Sequence, residues 1–256
     1  MSRQRRSPPV ALWRLLRATV HVLRGLWTIR SEFGRLTPDQ CALLVREWSR
    51  QMLGIMGVTL VVRGTPPARG PLLLAANHIS WLDILVMDAA HPARFVSKAD
   101  VKHWPVLGTL ITGAGTLYIE RASRRDALRV VHQMAAALTA GDTLAVFPEG
   151  TTGDGRSLLP FHANLIQAAI SAHAPVLPVA LQYLDGAGGG VSDAPLFLGE
   201  TTLLQSVWRS LRANGLQACV QFGEPQMANN RDRRTWAADL QQAVGAMLGA
   251  GSASDR

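Results

Sequence analysis

His78 and Asp83 stand five residues apart in "AANHISWLDI", residues 75–84, directly after an apolar run. An imidazole held by a carboxylate is suited to taking a proton from a weakly acidic hydroxyl, because the carboxylate fixes the tautomer that leaves one ring nitrogen free. On an ideal helix two residues five apart diverge by about 140°. His78 must therefore lie in a loop, with Asp83 in the first turn of the next helix and reaching back. The same stretch has a structural reading. A helix starting at Ser80 would use Ser80 as its N-cap, with Asp83 at the spacing of a capping box. The two roles are compatible.

Other familiar chemistry is missing from the sequence. There is no G-x-S-x-G elbow, no G-x-x-x-x-G-K-[ST] loop and no G-x-G-x-x-G opening a helix after the first strand. No His, Cys and Asp residues share a metal-ligand spacing. Cys41 and Cys219 are far apart, which excludes a disulfide framework and fits a reducing compartment.

The elements that must position His78 and Asp83 follow from periodicity. From Val58 onward, short apolar runs alternate with helical patterns. Strands are predicted over 58–63, 72–77, 94–98, 116–120, 143–147, 176–182 and 218–222. Helices are predicted at 123–139, 163–173, 201–213 and 231–248. Such alternation implies an α/β domain with a largely buried sheet flanked by helices. The uncharged stretch from Ser157 to Leu184 is divided by Pro160, Pro175 and Pro178 into a helix and a strand. Polar loops fall at the carboxyl ends of strands, where α/β sheets bind ligands.

Charge is unevenly placed. The chain has a net charge of +8, and its first 35 residues carry eight arginines against the single acid Glu32. The body is close to neutral, so the basic excess is an N-terminal device. Residues 10–30 put Arg14, Arg17, His21, Arg24 and Thr28 on one helical stripe, with leucine, valine and tryptophan over the rest. No uncharged stretch there reaches the roughly 18 residues of a spanning helix. The pattern predicts a helix lying in an anionic membrane interface, arginines toward the phosphates. The competing reading is a helix packed on the protein's own core. A second helix is predicted from Pro38 or Asp39 to about Met56. The chain is thus expected to divide into a two-helix membrane-binding module (1–57), an α/β domain (58–250) and a disordered tail (251–256). Basic residues mixed with leucine and tryptophan on one helix argue against nucleic acid as the partner.

Four blocks then occur in order: N-H-x-x-x-x-D (Asn77 to Asp83), G-x-x-[FY]-I-x-R (Gly115 to Arg121), F-P-E-G-T (Phe147 to Thr151) and a [VI]-x-P-[VI] strand around Pro178. In this order and spacing they resemble the glycerolipid acyltransferase family, whose type activity is 1-acylglycerol-3-phosphate O-acylation. The resemblance spans residues 77–181, and the strand pattern fits to about 225. It implies the glycerolipid acyltransferase fold, His78 as the base and Asp83 as the group that orients it. It further implies that Arg121 contacts the acceptor's phosphate, that Glu149 and Gly150 position the acceptor, and that Pro178 lies along the acyl path. Asn77, Gly115 and Thr151, inside the blocks, join the substrate-binding set. Lys98 is one of only two lysines against 24 arginines, so a compact ammonium is singled out at a strand end. The family places a phosphate-contacting lysine in this region.

One departure bears on the acceptor. Family members that form phosphatidic acid commonly read E-G-T-R, whereas Thr152 stands here in the arginine's place. Either Arg121, Lys98 and Arg156 together hold the phosphate of lysophosphatidic acid, or the acceptor is another lysolipid such as lyso-ornithine lipid. The resemblance implies no cofactor or metal, and an acyl carrier protein or coenzyme A thioester as donor. Arginine-rich composition and short loops suggest a bacterial protein on the cytoplasmic face of the inner membrane. A non-catalytic membrane-binding protein is the rival from another class, and the intact His78, Asp83, Glu149 and Gly150 argue against it.

Overall fold

The computed structural model describes residues 5–104, 106–119, 124–186 and 190–253. Seven strands form one sheet: β1 (Val58–Arg63), β2 (Leu72–Ala76), β3 (Arg94–Lys98), β4 (Leu117–Ile119), β5 (Thr143–Val146), β6 (Val176–Asp185) and β7 (Leu216–Phe222), in the order β1-β7-β6-β2-β5-β3-β4. Only β6 and β7 pair antiparallel. β2 to β6 therefore share one direction, and their carboxyl ends crowd onto one edge. β2 lies at the centre and every one of its residues is buried. Its side chains alternate: Leu72, Leu74 and Ala76 join one core layer, Leu73 and Ala75 the other.

Helices cover both faces. α1 (Pro8–Ser31), α2 (Pro38–Met56), α3 (Leu82–Ala90) and α7 (Leu203–Leu211) belong to the first layer; α5 (Arg124–Thr139), α6 (Ile166–Ser171) and α8 (Arg233–Ala253) belong to the second. A 3-10 turn (Ala99–His103) and α4 (Leu107–Gly113) link β3 to β4. These two were not anticipated, because "VLGTLITGAG" mixes glycine and threonine into an apolar run without helical periodicity. The last helix continues to Ala253, so the boundary set at 250 falls inside α8, and 254–256 lie outside the described residues.

The N-terminal helices share the body's core. Ala11 of α1 and Met52, Leu53 and Met56 of α2 lie in the same buried cluster as β2 and α3. α2 starts with a complete capping box, Thr37 with Gln40, and ends on Gly57 in the left-handed region. Gly57 is needed there for a second reason. A Cβ would stand 2.1 Å from the Arg14 guanidinium, which donates to the carbonyls of Leu211 and Ala213 at 2.8 and 3.3 Å.

The predicted arginine stripe is divided. Arg14 and His21 turn inward, and His21 pairs with Trp48 through reciprocal ring-to-carbonyl contacts of 2.9 and 3.1 Å. Gly25 permits the close approach of Trp48. The face left outward carries Leu12, Trp13, Leu16, Val20, Leu23 and Trp27, 49–68% exposed, with Arg17 and Arg24 also exposed. Both sequence readings of α1 meet here: Ala11, Leu15, Ala18 and Val22 pack on the core with Arg14 and His21 turned inward, and a second apolar face is left outside.

Candidate active site

β2 delivers His78 to the carboxyl edge of the sheet. After Ala76 the strand ends, and the buried Asn77 side chain continues the pairing in place of the backbone. Its amide nitrogen donates to the Leu181 carbonyl at 3.0 Å and its oxygen accepts the Leu181 N–H at 2.7 Å. His78 is then clamped on both sides of its own peptide group. Its N–H donates to Glu149 Oε1 at 3.0 Å, and its carbonyl accepts the Gly153 N–H at 2.7 Å. The ring stacks on Phe147, centroids 4.0 Å apart.

His78 Nδ1 lies 2.8 Å from Asp83 Oδ2. Asp83 sits in the first turn of α3, fully buried. Its Oδ2 also accepts the N–H groups of Ile79 and Ser80 at 2.6 and 2.9 Å, and its Oδ1 accepts the Tyr183 hydroxyl at 2.7 Å. Four polar neighbours on one buried carboxylate fix its position, as a buried polar group requires. Nδ1 thus carries the hydrogen toward Asp83, leaving Nε2 as an acceptor on the partly exposed edge of the ring. The helix begins at Leu82 rather than Ser80, and only half of the expected capping box forms: the Asp83 carboxylate takes the Ser80 N–H. The Ser80 hydroxyl accepts from Leu82 N and donates to the Pro195 carbonyl.

Glu149, also buried, receives the Leu159 N–H on Oε2 at 3.1 Å. Burial pushes its carboxyl up, against the backbone N–H groups of His78 and Leu159, which pull it down. With one oxygen on each loop, Glu149 ties the His78 loop to residues 158–161.

The family model described as Acyltransferase matches residues 59–182. A lyso-ornithine lipid O-acyltransferase of Pseudomonas aeruginosa is 39% identical over 78% of this chain and 76% of its own length. The chain belongs to the glycerolipid acyltransferase family. A 1-acyl-sn-glycerol-3-phosphate acyltransferase of Neisseria meningitidis is 37% identical over 87% of this chain and 86% of its own length. The fold matches the crystal structure of the 1-acyl-sn-glycerophosphate (LPA) acyltransferase of Thermotoga maritima, with a TM-score of 0.71 at 17% identity over 94% of each chain.

Several residues expected to touch substrate have other work in this acyltransferase. Both amide atoms of Asn77 are taken by β6, so it is a strand extension and not a ligand contact. Each oxygen of the buried Glu149 accepts a backbone N–H, so its hydrogen bonds in the structure go to the loops it joins. Gly150 has φ +71° and supports that turn, where a Cβ would press on His162. Gly115 has φ +79° and precedes β4, so it lies at the amino edge of the sheet, opposite His78; its carbonyl accepts from Arg94 Nε. Pro178 is buried within β6, and its carbonyl accepts the Gly223 N–H. Thr151 is exposed. The Thr152 hydroxyl donates to the Phe197 carbonyl, and Arg156 pairs with Asp193 at 2.7 Å, each about half exposed. Lys98 closes β3, and its side chain falls outside what is described; Arg121 lies outside the described residues. Among the described residues no group of three or more His, Cys, Asp and Glu could hold a metal ion.

Tyr183 escaped the sequence reading, and Phe147 entered it only as part of the F-P-E-G-T block, without its stacking on His78. Burial and the adjacent Asp83 charge push the Tyr183 phenol well up, so it stays a donor. Its one available signal was a tyrosine amid the aliphatic residues of β6, which needs a hydroxyl partner once buried.

Proposed function

We propose that this acyltransferase moves a fatty acyl group from an acyl thioester to the sn-2 hydroxyl of 1-acyl-sn-glycerol-3-phosphate, giving phosphatidic acid. The observation that carries it is the His78–Asp83 pair at 2.8 Å, with Asp83 held by four polar neighbours and the partly exposed His78 ring left with Nε2 unengaged by Asp83. Nε2 takes the hydroxyl proton as the oxygen attacks the thioester carbonyl. The imidazolium that forms is stabilised by Asp83 through Nδ1–H. Collapse of the tetrahedral intermediate breaks the carbon–sulfur bond, and the thiolate leaves with the proton from Nε2. The donor is an acyl carrier protein or coenzyme A thioester.

A second acceptor reading has its own support. Thr152 stands where the family has an arginine and spends its hydroxyl on a carbonyl, while Arg156 is neutralised by Asp193. With two positions of the loop offering no unpaired cation, a lyso-ornithine lipid is the alternative acceptor, as the name of the Pseudomonas relative also supports.

Membrane contact is assigned to α1. At 100° per residue six of the seven large apolar side chains exposed on α1, all but Val10, fall within an arc of about 100°, so they enter a bilayer interface together, with Arg17 and Arg24 beside them for anionic headgroups. No described helix is long and apolar enough to cross a membrane. A thioester donor made in the cytoplasm supports assigning this contact to the cytoplasmic face of a bacterial inner membrane. Acyl transfer to the two lysolipids, measured side by side for the wild type and His78→Ala, tests the reaction. The variant is expected to lose about 10²–10⁴-fold in kcat. Retention of half the wild-type turnover refutes the mechanism.

A further inference from the structure

The chain between β6 and α7 is bound by side chains rather than by regular structure. Three consecutive carbonyls, Pro195, Leu196 and Phe197, each accept a side-chain donor. Pro195 receives the hydroxyls of Ser80 and Ser206, Leu196 receives Arg209 at 2.9 Å, and Phe197 receives Thr152. Asp193 adds the ion pair to Arg156, and Ser192 N–H joins the Tyr183 carbonyl at 2.8 Å. Two of these donors come from the loops that build the site. Ser80 lies between His78 and Asp83, and Thr152 precedes Gly153, which holds the His78 carbonyl. Segment 193–197 is therefore fastened to both loops that hold His78 in place.

We propose that Thr152 is a positioning residue, holding segment 193–197 as the headgroup-side wall of the cleft beside His78. The proposal rests on the acyl transfer argued above. Reach decides the side. In a lysolipid acceptor, the charged headgroup is only a few bonds from the reacting hydroxyl, so it sits within about 6 Å of the base. In a thioester donor, a long pantetheine arm separates the reacting carbonyl from the nearest charge. Charged side chains carried on the segments bonded to the His78 loop are thus assigned to the acceptor, and the Arg156–Asp193 pair joins the two segments that Thr152 also fastens. The hydroxyl at 152 is a fastener, and acceptor affinity is set by the wall it holds.

The test compares Thr152→Val, which keeps the shape and removes the donor, with Thr152→Ser, which restores it. Kinetics are measured with each lysolipid, and amide hydrogen exchange is followed over residues 190–200. Thr152→Val is expected to speed exchange in that segment and to raise the acceptor KM about 3- to 10-fold, the worth of one neutral hydrogen bond, with the thioester KM unchanged; Thr152→Ser is expected to behave as wild type. Unchanged exchange overturns the clamp. Faster exchange with an unchanged acceptor KM, or with both KM values raised together, overturns the headgroup-side assignment. Thr152→Arg is expected to weaken acceptor binding, and a lowered KM for lysophosphatidic acid overturns the wall. A wild type that acylates neither lysolipid refutes the proposed reaction instead, and also the headgroup-side role that depends on it, while exchange still decides the clamp.

Discussion

Replacing Tyr183 by Phe removes one oxygen atom behind the catalytic pair and nothing in front of it. Tyr183 is buried, and its hydroxyl donates to Asp83 Oδ1 at 2.7 Å. Without it, Oδ1 loses its hydroxyl donor and stays buried. Leaving such an acceptor unpaired costs about 1–3 kcal/mol. For a chain of this size each kcal/mol lowers Tm by roughly 2–4 °C, so a fall of about 2–12 °C is expected. Catalysis suffers separately. Oδ1 is one of the two anchors that stop the carboxylate turning, and Oδ2 must stay 2.8 Å from His78 Nδ1 to hold the tautomer. A loss in kcat of about 3- to 30-fold is expected if 0.7–2 kcal/mol of this positioning is forfeited. The acceptor KM should not move, since Tyr183 lies behind Asp83. Thiol release at saturating thioester and lysolipid measures kcat, and a melting curve measures stability. A variant within twofold of wild type in kcat with an unmoved melt refutes the reasoning, and so does an effect confined to KM.

Three further outcomes are expected. Glu149→Gln puts an amide N–H₂ against one of two backbone N–H donors, so it should cost about 1–3 kcal/mol of stability and lower kcat by displacing His78; a melt equal to wild type counts against the loop-tying role. Asp88 in α3 is pushed up to about 8 by burial, so the folded chain keeps a proton that the unfolded chain releases above its ordinary value of 3.8. Stability should therefore fall as pH rises between these values, by at most about 1.4 kcal/mol per pH unit, and Asp88→Asn should flatten melts recorded from pH 5 to 8. Serine at the exposed Leu16, Leu23 and Trp27 should release the protein from anionic vesicles without altering its melt, each lost side chain being worth up to about 1.5–3 kcal/mol of transfer; pelleting equal to wild type places the membrane contact elsewhere. Deleting residues 1–35 is the poorer probe, because Ala11, Arg14, His21 and Gly25 are packed into the body.

The sequence by itself determined the succession of strands and helices apart from the turn and helix between β3 and β4, the loop position of His78 and the reach of Asp83 back from a first helical turn. Those follow from local rules: apolar periodicity marks elements, and the angle between residues five apart forbids both on one helix face. The four blocks also led directly to the family. Tertiary structure decided which side chains are spent on the protein itself. Asn77, Glu149 and Thr152 look like ligand contacts in a motif, yet each is satisfied by the backbone of a segment distant in sequence: Leu181, His78 with Leu159, and Phe197. Tyr183 joined the site by the reverse route, from a strand one hundred residues beyond Asp83. The orientation of α1 was settled in the same way. Its periodicity showed two faces, but only packing against Trp48, Leu211 and Ala213 turned Arg14 and His21 inward and left leucine and tryptophan outside. The physical reason is common to all of these. A polar group's partner is chosen by distance in space, and a buried polar group must have one, whereas sequence spacing reports only neighbours along the chain.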